Sequence, residues 1–258
     1  MSEQQRLLQA VQEVAEAAGQ VALRHYRTDV RVERKVDRSP VTIADREAEG
    51  AARALIERLF PQDGIIGEEL GAARPDARRR WIVDPIDGTR TFVRGVPLWG
   101  TLVAVVEGET VLAGCAAFPA VGEWIAAARG EGAWHCGQRA QVSAVSTLTN
   151  ATLLTTDERF PDRPEVLDGW RSVTAEAEVV RTWGDCYGYL LVATGRAELM
   201  FDPVLADWDS AALEPIVVEA GGVFTDLRGR PTAFGKSAVA TNAALAEPLR
   251  ATLLRGLS

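Results

Sequence analysis

The chain has 258 residues, 47% of them hydrophobic, and a formal net charge of −8. That length and apolar content suit one large folded unit or two modest ones and exclude a disordered chain, while the acidic balance argues against a nucleic-acid-binding face. No apolar run approaches the roughly 18 residues of a membrane helix, and the opening MSEQQRLLQA lacks a basic-then-apolar leader, so a cytoplasmic protein with no membrane partner is expected.

Leu7, Val11, Val14, Ala18 and Ala22 recur at helical spacing and predict an amphipathic helix over residues 3 to 27, with His25 closing the stripe. VRVERKV, residues 30 to 36, alternates as a short strand. A second helix is expected over residues 42 to 60, opened by a Thr42-x-x-Asp45 capping box and stopped by Pro61. DGIIGEE and RRWIVDP each read as an apolar strand that stops at acidic residues, and residues 101 to 140 predict antiparallel strands joined by glycine turns. From about residue 145 the texture changes to strand TLLTT, helical stretches and strand AELMF. WDSAALEPIVVEAGG follows as one helix closed by Gly221 and Gly222, then AVATN leads into a terminal helix. Residues 1–145 are expected to form an α+β half with an antiparallel sheet, and residues 146–258 an α/β half packed tightly against it.

Cys115, Cys136 and Cys186 are odd in number and far apart, which disfavours a disulfide framework and offers no CxxC metal spacing. With two histidines, His25 and His135, a histidine-rich zinc site is nearly excluded, and neither makes a convincing general base. The basic run through Arg78, Arg79 and Arg80 reads as a solvated loop.

Acidic residues, by contrast, gather at the ends of elements: Asp45, the pair Glu68 and Glu69, Asp84 with Asp87, and Asp209. Singly, each has an ordinary reading as a cap, a first-turn charge or a turn former. Jointly they are harder to dismiss, because Glu68 and Asp84 both end apolar strands, where an unpartnered carboxylate is costly. A few carboxylates and a backbone carbonyl suit a hard cation such as Mg²⁺, and phosphoryl transfer is the matching chemistry. Gly88-Thr89-Arg90 is expected to open a short helix whose free N–H groups bind a phosphate, with Gly88 allowing close approach.

SPVTIADREAE, GIIGEE, WIVDPIDGTRTF and DWDSAALEPIVVEAGG, in that order, resemble the four motifs of the inositol monophosphatase superfamily and cover almost the whole chain. The resemblance implies a layered αβαβα sandwich of combined α+β and α/β character, and Mg²⁺-dependent hydrolysis of a small phosphate ester. It implies that Glu68, Asp84 and the carbonyl of Ile86 hold one Mg²⁺ and that Asp84, Asp87 and Asp209 hold a second, with Glu68 reaching a weaker third through water. Thr89 and Asp45 would form a proton-accepting pair that positions the attacking water, and Glu69 would orient its neighbours. Relatives are commonly dimers, so a homodimer is expected.

RTWGDCYGYLLVATGRAELMFDP and DPIDGTRTFVRGVPLWGTLVAVVEGE most resemble the histidinol-phosphate phosphatases of that superfamily, in which an aspartate follows the glycine of the WGD position. Here it is Asp185. Asp202 falls where a carboxylate contacts the substrate in inositol-type relatives. Two carboxylates beside the leaving group suit a cationic alcohol, so L-histidinol phosphate is the expected substrate. The alternatives are inositol 1-phosphate or another sugar or nucleotide phosphate, with Asp185 acting as a helix cap; Trp183 and Tyr187 are lesser candidates for ring contacts. A non-catalytic binding module would not need the Thr89 and Asp45 pair as well as every ligand. An RNA-associated regulator is disfavoured by the acidic charge.

Overall fold

The computed structural model describes residues 1–29, 31–34 and 40–255. Val30, Lys35 and Val36 of the expected VRVERKV strand lie outside the described residues; Glu33–Arg34 (β1) pairs antiparallel with Pro40–Val41 (β2). Helix α1 (Glu3–His25) starts at a capping box in which Ser2 Oγ accepts from Gln5 N and the Gln5 side chain accepts from Ser2 N, each at 3.0 Å. Helix α2 (Ile43–Leu59) starts at the expected box on Thr42 and Asp45. Both helices fall slightly short of their expected ends.

The larger sheet contains β3 (Gly64–Gly67), β4 (Gly71–Ala73), β5 (Arg79–Asp87), β6 (Gly100–Glu107), β7 (Thr110–Phe118), β8 (Glu123–Ala128), β9 (Gly132–His135) and β10 (Gln138–Arg139). Their spatial order is β10-β9-β8-β7-β6-β5-β3-β4, antiparallel except where β3 runs parallel to β5. The short helix α3 (Thr89–Val93) follows β5 directly.

The smaller sheet has the order β12-β11-β13-β15-β14, built from β11 (Thr152–Thr155), β12 (Val179–Arg181), β13 (Leu199–Asp202), β14 (Val223–Thr225) and β15 (Ala238–Thr241). Parallel pairs at β11 give way to antiparallel pairs at β15, which accounts for its α/β texture. Its helices are α4 (Leu167–Thr174), α5 (Asp185–Ala193), α6 (Asp207–Ser210), α7 (Leu213–Glu219) and α8 (Ala246–Leu253). The stretch expected as one helix thus forms two, α6 and α7. Pro215 has no N–H to give Ala211, but it is tolerated in the first turn of a restarted helix.

Period-two alternation divides the core into three seams. Trp81, Val83, Val103 and Val105 face α1 and α2, while Ile82, Leu102 and Ala104 on the same strands face α5 and α7. In the smaller sheet Met200 faces that same middle helical layer, and Leu199 and Phe201 face α4 and α8. The result is the αβαβα sandwich. No helix of the described residues is long and apolar enough to cross a membrane.

Candidate active site

β5 enters the centre of the molecule with Trp81, Ile82 and Val83 buried, and then its register against β6 slips. Asp84 opposes Leu102 but Asp87 opposes Gly100, so three steps on one strand match two on the other. Pro85 has no N–H to give the ladder, and a bulge of this kind re-aims the side chains around it. Asp84 Oδ1 accepts from Ile86 N at 3.0 Å, an Asx turn, and Pro85 O accepts from Thr101 Oγ1 at 2.8 Å. The DPID segment is therefore a hydrogen-bonded bulge that presents two carboxylates.

Asp209 meets them from α6, where its Oδ2 accepts from Ala206 N at 2.7 Å. Asp84, Asp87 and Asp209 each offer an oxygen within 4.8 Å of the others. Glu68 follows β3, its N–H donating to Val83 O at 3.2 Å. Burial, and then the charge of Glu68, push the Asp84 carboxyl well above its ordinary range; burial and then Asp185 do the same to Asp87. Asp209 is pushed up to about 6, chiefly by burial, although the Ala206 N–H opposes the shift. Buried, mutually repelling oxygen donors of this kind could hold a divalent cation, whose charge would remove the repulsion.

Asp45 is fully buried, with Oδ2 accepting from Thr42 N at 2.7 Å and Thr42 Oγ1 at 2.8 Å. Its Oδ1 has no hydrogen-bond partner among the described residues. Thr89 and Asp45 are not joined by a hydrogen bond: Thr89 Oγ1 donates to Ile86 O at 3.0 Å. Gly88 caps α3 in a left-handed conformation, with φ 82°.

A cleft of about 530 Å³ opens above Gly88 and Thr89 and is also lined by Asp185, Asp202 and Asp209. Asp185 stands at the start of α5 but makes no capping bond; its Oδ2 accepts from Thr91 Oγ1 at 3.0 Å. A Cβ on Gly88 would lie 2.9 Å from that same oxygen, so the carboxylate sits directly against the α3 turn. Next to it, Cys186 N donates to Asp87 Oδ2 at 2.5 Å, tying α5 to the bulge. Asp202, at the end of β13, accepts from Thr156 N and Tyr189 OH and is pushed up to about 7 by burial. Neither histidine lines the cleft: His25 pairs with Glu47 at 2.8 Å and His135 with Glu123 at 2.9 Å. All three cysteines are free thiols. Trp183 is exposed, and Tyr187 OH donates to Glu123.

Sequence reasoning missed Glu49, four residues beyond Asp45 on the same face of α2. Fully buried, it accepts from Glu69 N at 2.7 Å, from Leu70 N and from Arg53 Nε, and so grips the turn after Glu68. Gly67 makes room: a Cβ there would lie 1.9 Å from Glu49 Oε1. The Asp45-to-Glu49 spacing is the signal that could have revealed it.

A model of the inositol monophosphatase family matches residues 3–256. A histidinol-phosphatase of Chlorobaculum parvum is 43% identical over 252 residues, covering 96% of this chain and 97% of that protein. A histidinol-phosphatase of Streptomyces coelicolor is 38% identical over 246 residues, 92% of each. Among solved structures, the extragenic suppressor protein suhB of Bartonella henselae superposes with a TM-score of 0.91 at 30% identity, covering 97% of this chain and 99% of that one. With the five layers, the bulged carboxylate pair and a family match over residues 3–256, the chain belongs to the inositol monophosphatase family.

Proposed function

We propose that the protein is a Mg²⁺-dependent phosphatase that hydrolyses L-histidinol phosphate to L-histidinol and phosphate. The observation that carries this reading is the convergence of Asp84, Asp87 and Asp209, the last of which lines a cleft together with Asp185, whose carboxylate is set against the Gly88 turn. The histidinol-phosphatases that the chain resembles over nine-tenths of its length support the substrate. The test is phosphate release from L-histidinol phosphate by chelator-treated protein, expected to be negligible until Mg²⁺ is added.

In this reading Glu68, Asp84 and the Ile86 carbonyl hold one ion, and Asp84, Asp87 and Asp209 hold another. Bound Mg²⁺ supplies charge neutralisation for the phosphate and acidifies water, so no covalent phosphoenzyme is required. The N–H groups of Gly88 and Thr89 cradle the phosphate oxygens. Asp45 offers Oδ1, buried without a partner, as the proton acceptor, and Thr89 orients the water beside it. Glu69 belongs to the turn held by Glu49 and supports Glu68. Asp185 and Asp202 face the alcohol, where histidinol brings an ammonium and an imidazole.

Two predictions arise here. Thr89→Ala removes the orienting hydroxyl and its hydrogen bond to Ile86 O but no carboxylate or carbonyl donor, so kcat is expected to fall about tenfold with KM and Mg²⁺ affinity changed much less; collapse of metal affinity would instead make Thr89 a ligand or structural residue. The second prediction concerns stability. A carboxyl raised in the fold, such as Asp209 at about 6 against 3.8, favours the folded state while protonated. That contribution is complete below about pH 4 and is withdrawn as pH rises through about 6. Chelator-treated protein is therefore expected to melt at a lower temperature at pH 8 than at pH 5. Mg²⁺ at a hundredfold excess over Kd contributes about 2.7 kcal/mol, which is about 5–10 °C for a chain of this size. A melting temperature indifferent to both pH and Mg²⁺ would count against the metal centre.

A further inference from the structure

Thr156 follows β11 at the rim of the cleft and touches the machinery on both sides. Its Oγ1 accepts from Asp185 N at 2.9 Å, and its own N–H donates to Asp202 Oδ1 at 3.2 Å. Tyr189 OH closes the group from α5, donating to Asp202 Oδ2 at 3.0 Å. One residue just past the end of β11 therefore holds both acidic residues of the alcohol wall, Asp185 by its backbone and Asp202 by its carboxylate.

The backbone at Asp185 needs such a hold. Its φ of 49° is left-handed, a region in which side-chain-bearing residues are uncommon and persist where the surroundings impose it. Gly184 lets the chain press against β11: a Cβ there would lie 2.4 Å from Thr156 Cα. With its N–H fixed by Thr156 and its carboxylate fixed by Thr91 Oγ1 on α3, Asp185 is anchored at both ends, across the seam between the two sheets. Releasing the backbone end frees the residue to leave the left-handed region and swings its carboxylate away from the Gly88 turn.

We propose that Thr156 is the positioning residue for alcohol selectivity, holding Asp185 and Asp202 as a matched acidic pair that reads positive charge on the leaving alcohol. The inference rests on the reading of the site as a phosphatase for a cationic alcohol ester. It separates two duties within one cleft: the α3 turn and the bulge serve the phosphate, and the Thr156 hydroxyl serves the alcohol.

The test compares wild type, Thr156→Val and Thr156→Ser on L-histidinol phosphate and inositol 1-phosphate with Mg²⁺, each below its melting temperature. Thr156→Val keeps the shape and removes the hydroxyl. It is expected to lower kcat/KM for the histidinol ester about tenfold more than for the inositol ester, mostly through KM, on the scale of one misplaced charged contact. Thr156→Ser restores the acceptor and is expected to keep the wild-type ratio. If Thr156→Val does not fold, Thr156→Ala takes its place under the same criterion. A wild-type preference that survives loss of the hydroxyl, or equal losses on both esters, overturns the inference alone. A wild type that does not prefer the histidinol ester overturns the substrate reading and the inference with it.

Discussion

Asp84→Asn is expected to lose at least about 100-fold in turnover on any phosphate ester, the scale of removing a major electrostatic group. The substitution is conservative where structure is concerned, because an amide oxygen still accepts from Ile86 N and preserves the Asx turn at the bulge. What disappears is the charge at the point where β3, β5 and α6 converge. The Asp84 carboxyl is raised first by burial and then by Glu68, Asp87 and Asp209, so replacing it with a neutral amide also relieves repulsion in the metal-free fold. Chelator-treated Asp84→Asn is therefore expected to melt no lower than chelator-treated wild type, and to gain less from added Mg²⁺. Activity and melting curves read together exclude unfolding as the cause of the loss. Turnover near that of wild type would remove Asp84 from the metal centre.

Asp185→Asn is expected to lower kcat/KM for L-histidinol phosphate about 5- to 150-fold, equivalent to about 1–3 kcal/mol for a charged hydrogen bond, with a much smaller effect on inositol 1-phosphate. Asparagine tolerates the left-handed backbone that Asp185 adopts and still accepts from Thr91 Oγ1. Geometry is retained and only the charge is lost, so the variant separates charge reading from scaffolding. Equal losses on the two esters would assign Asp185 to general support of the Gly88 turn.

Much of this site is legible in the sequence because its residues contradict their surroundings. Aspartates at the end of an apolar strand, with a proline between them, cannot continue a ladder, and the bulge at Asp84 to Asp87 is how the chain resolves that conflict. The capping box on Thr42 and Asp45 and the glycine stop after α7 follow local rules and form where local rules put them. Contacts made across the fold were less visible. Nothing in a strand ending Thr155-Thr156 marks one threonine as the tie between Asp185 and Asp202, since its two partners lie 29 and 46 positions away. Glu49 was hidden in the same way, as its turn is supplied by a different element. The break between α6 and α7 was readable from Pro215, but it is masked by an apolar run with helical spacing. The partner of the Thr89 hydroxyl depends on how far the bulge rotates Ile86 O, which a motif does not encode.

The proposed reading of the site joins metal-dependent phosphate hydrolysis to an acidic wall facing the alcohol. Its most direct test is kcat/KM of the Mg²⁺-loaded wild-type protein for L-histidinol phosphate and inositol 1-phosphate under one set of conditions. A preference for the histidinol ester of at least about tenfold is expected, since only that alcohol brings positive charge to Asp185 and Asp202. A preference for inositol 1-phosphate would contradict it.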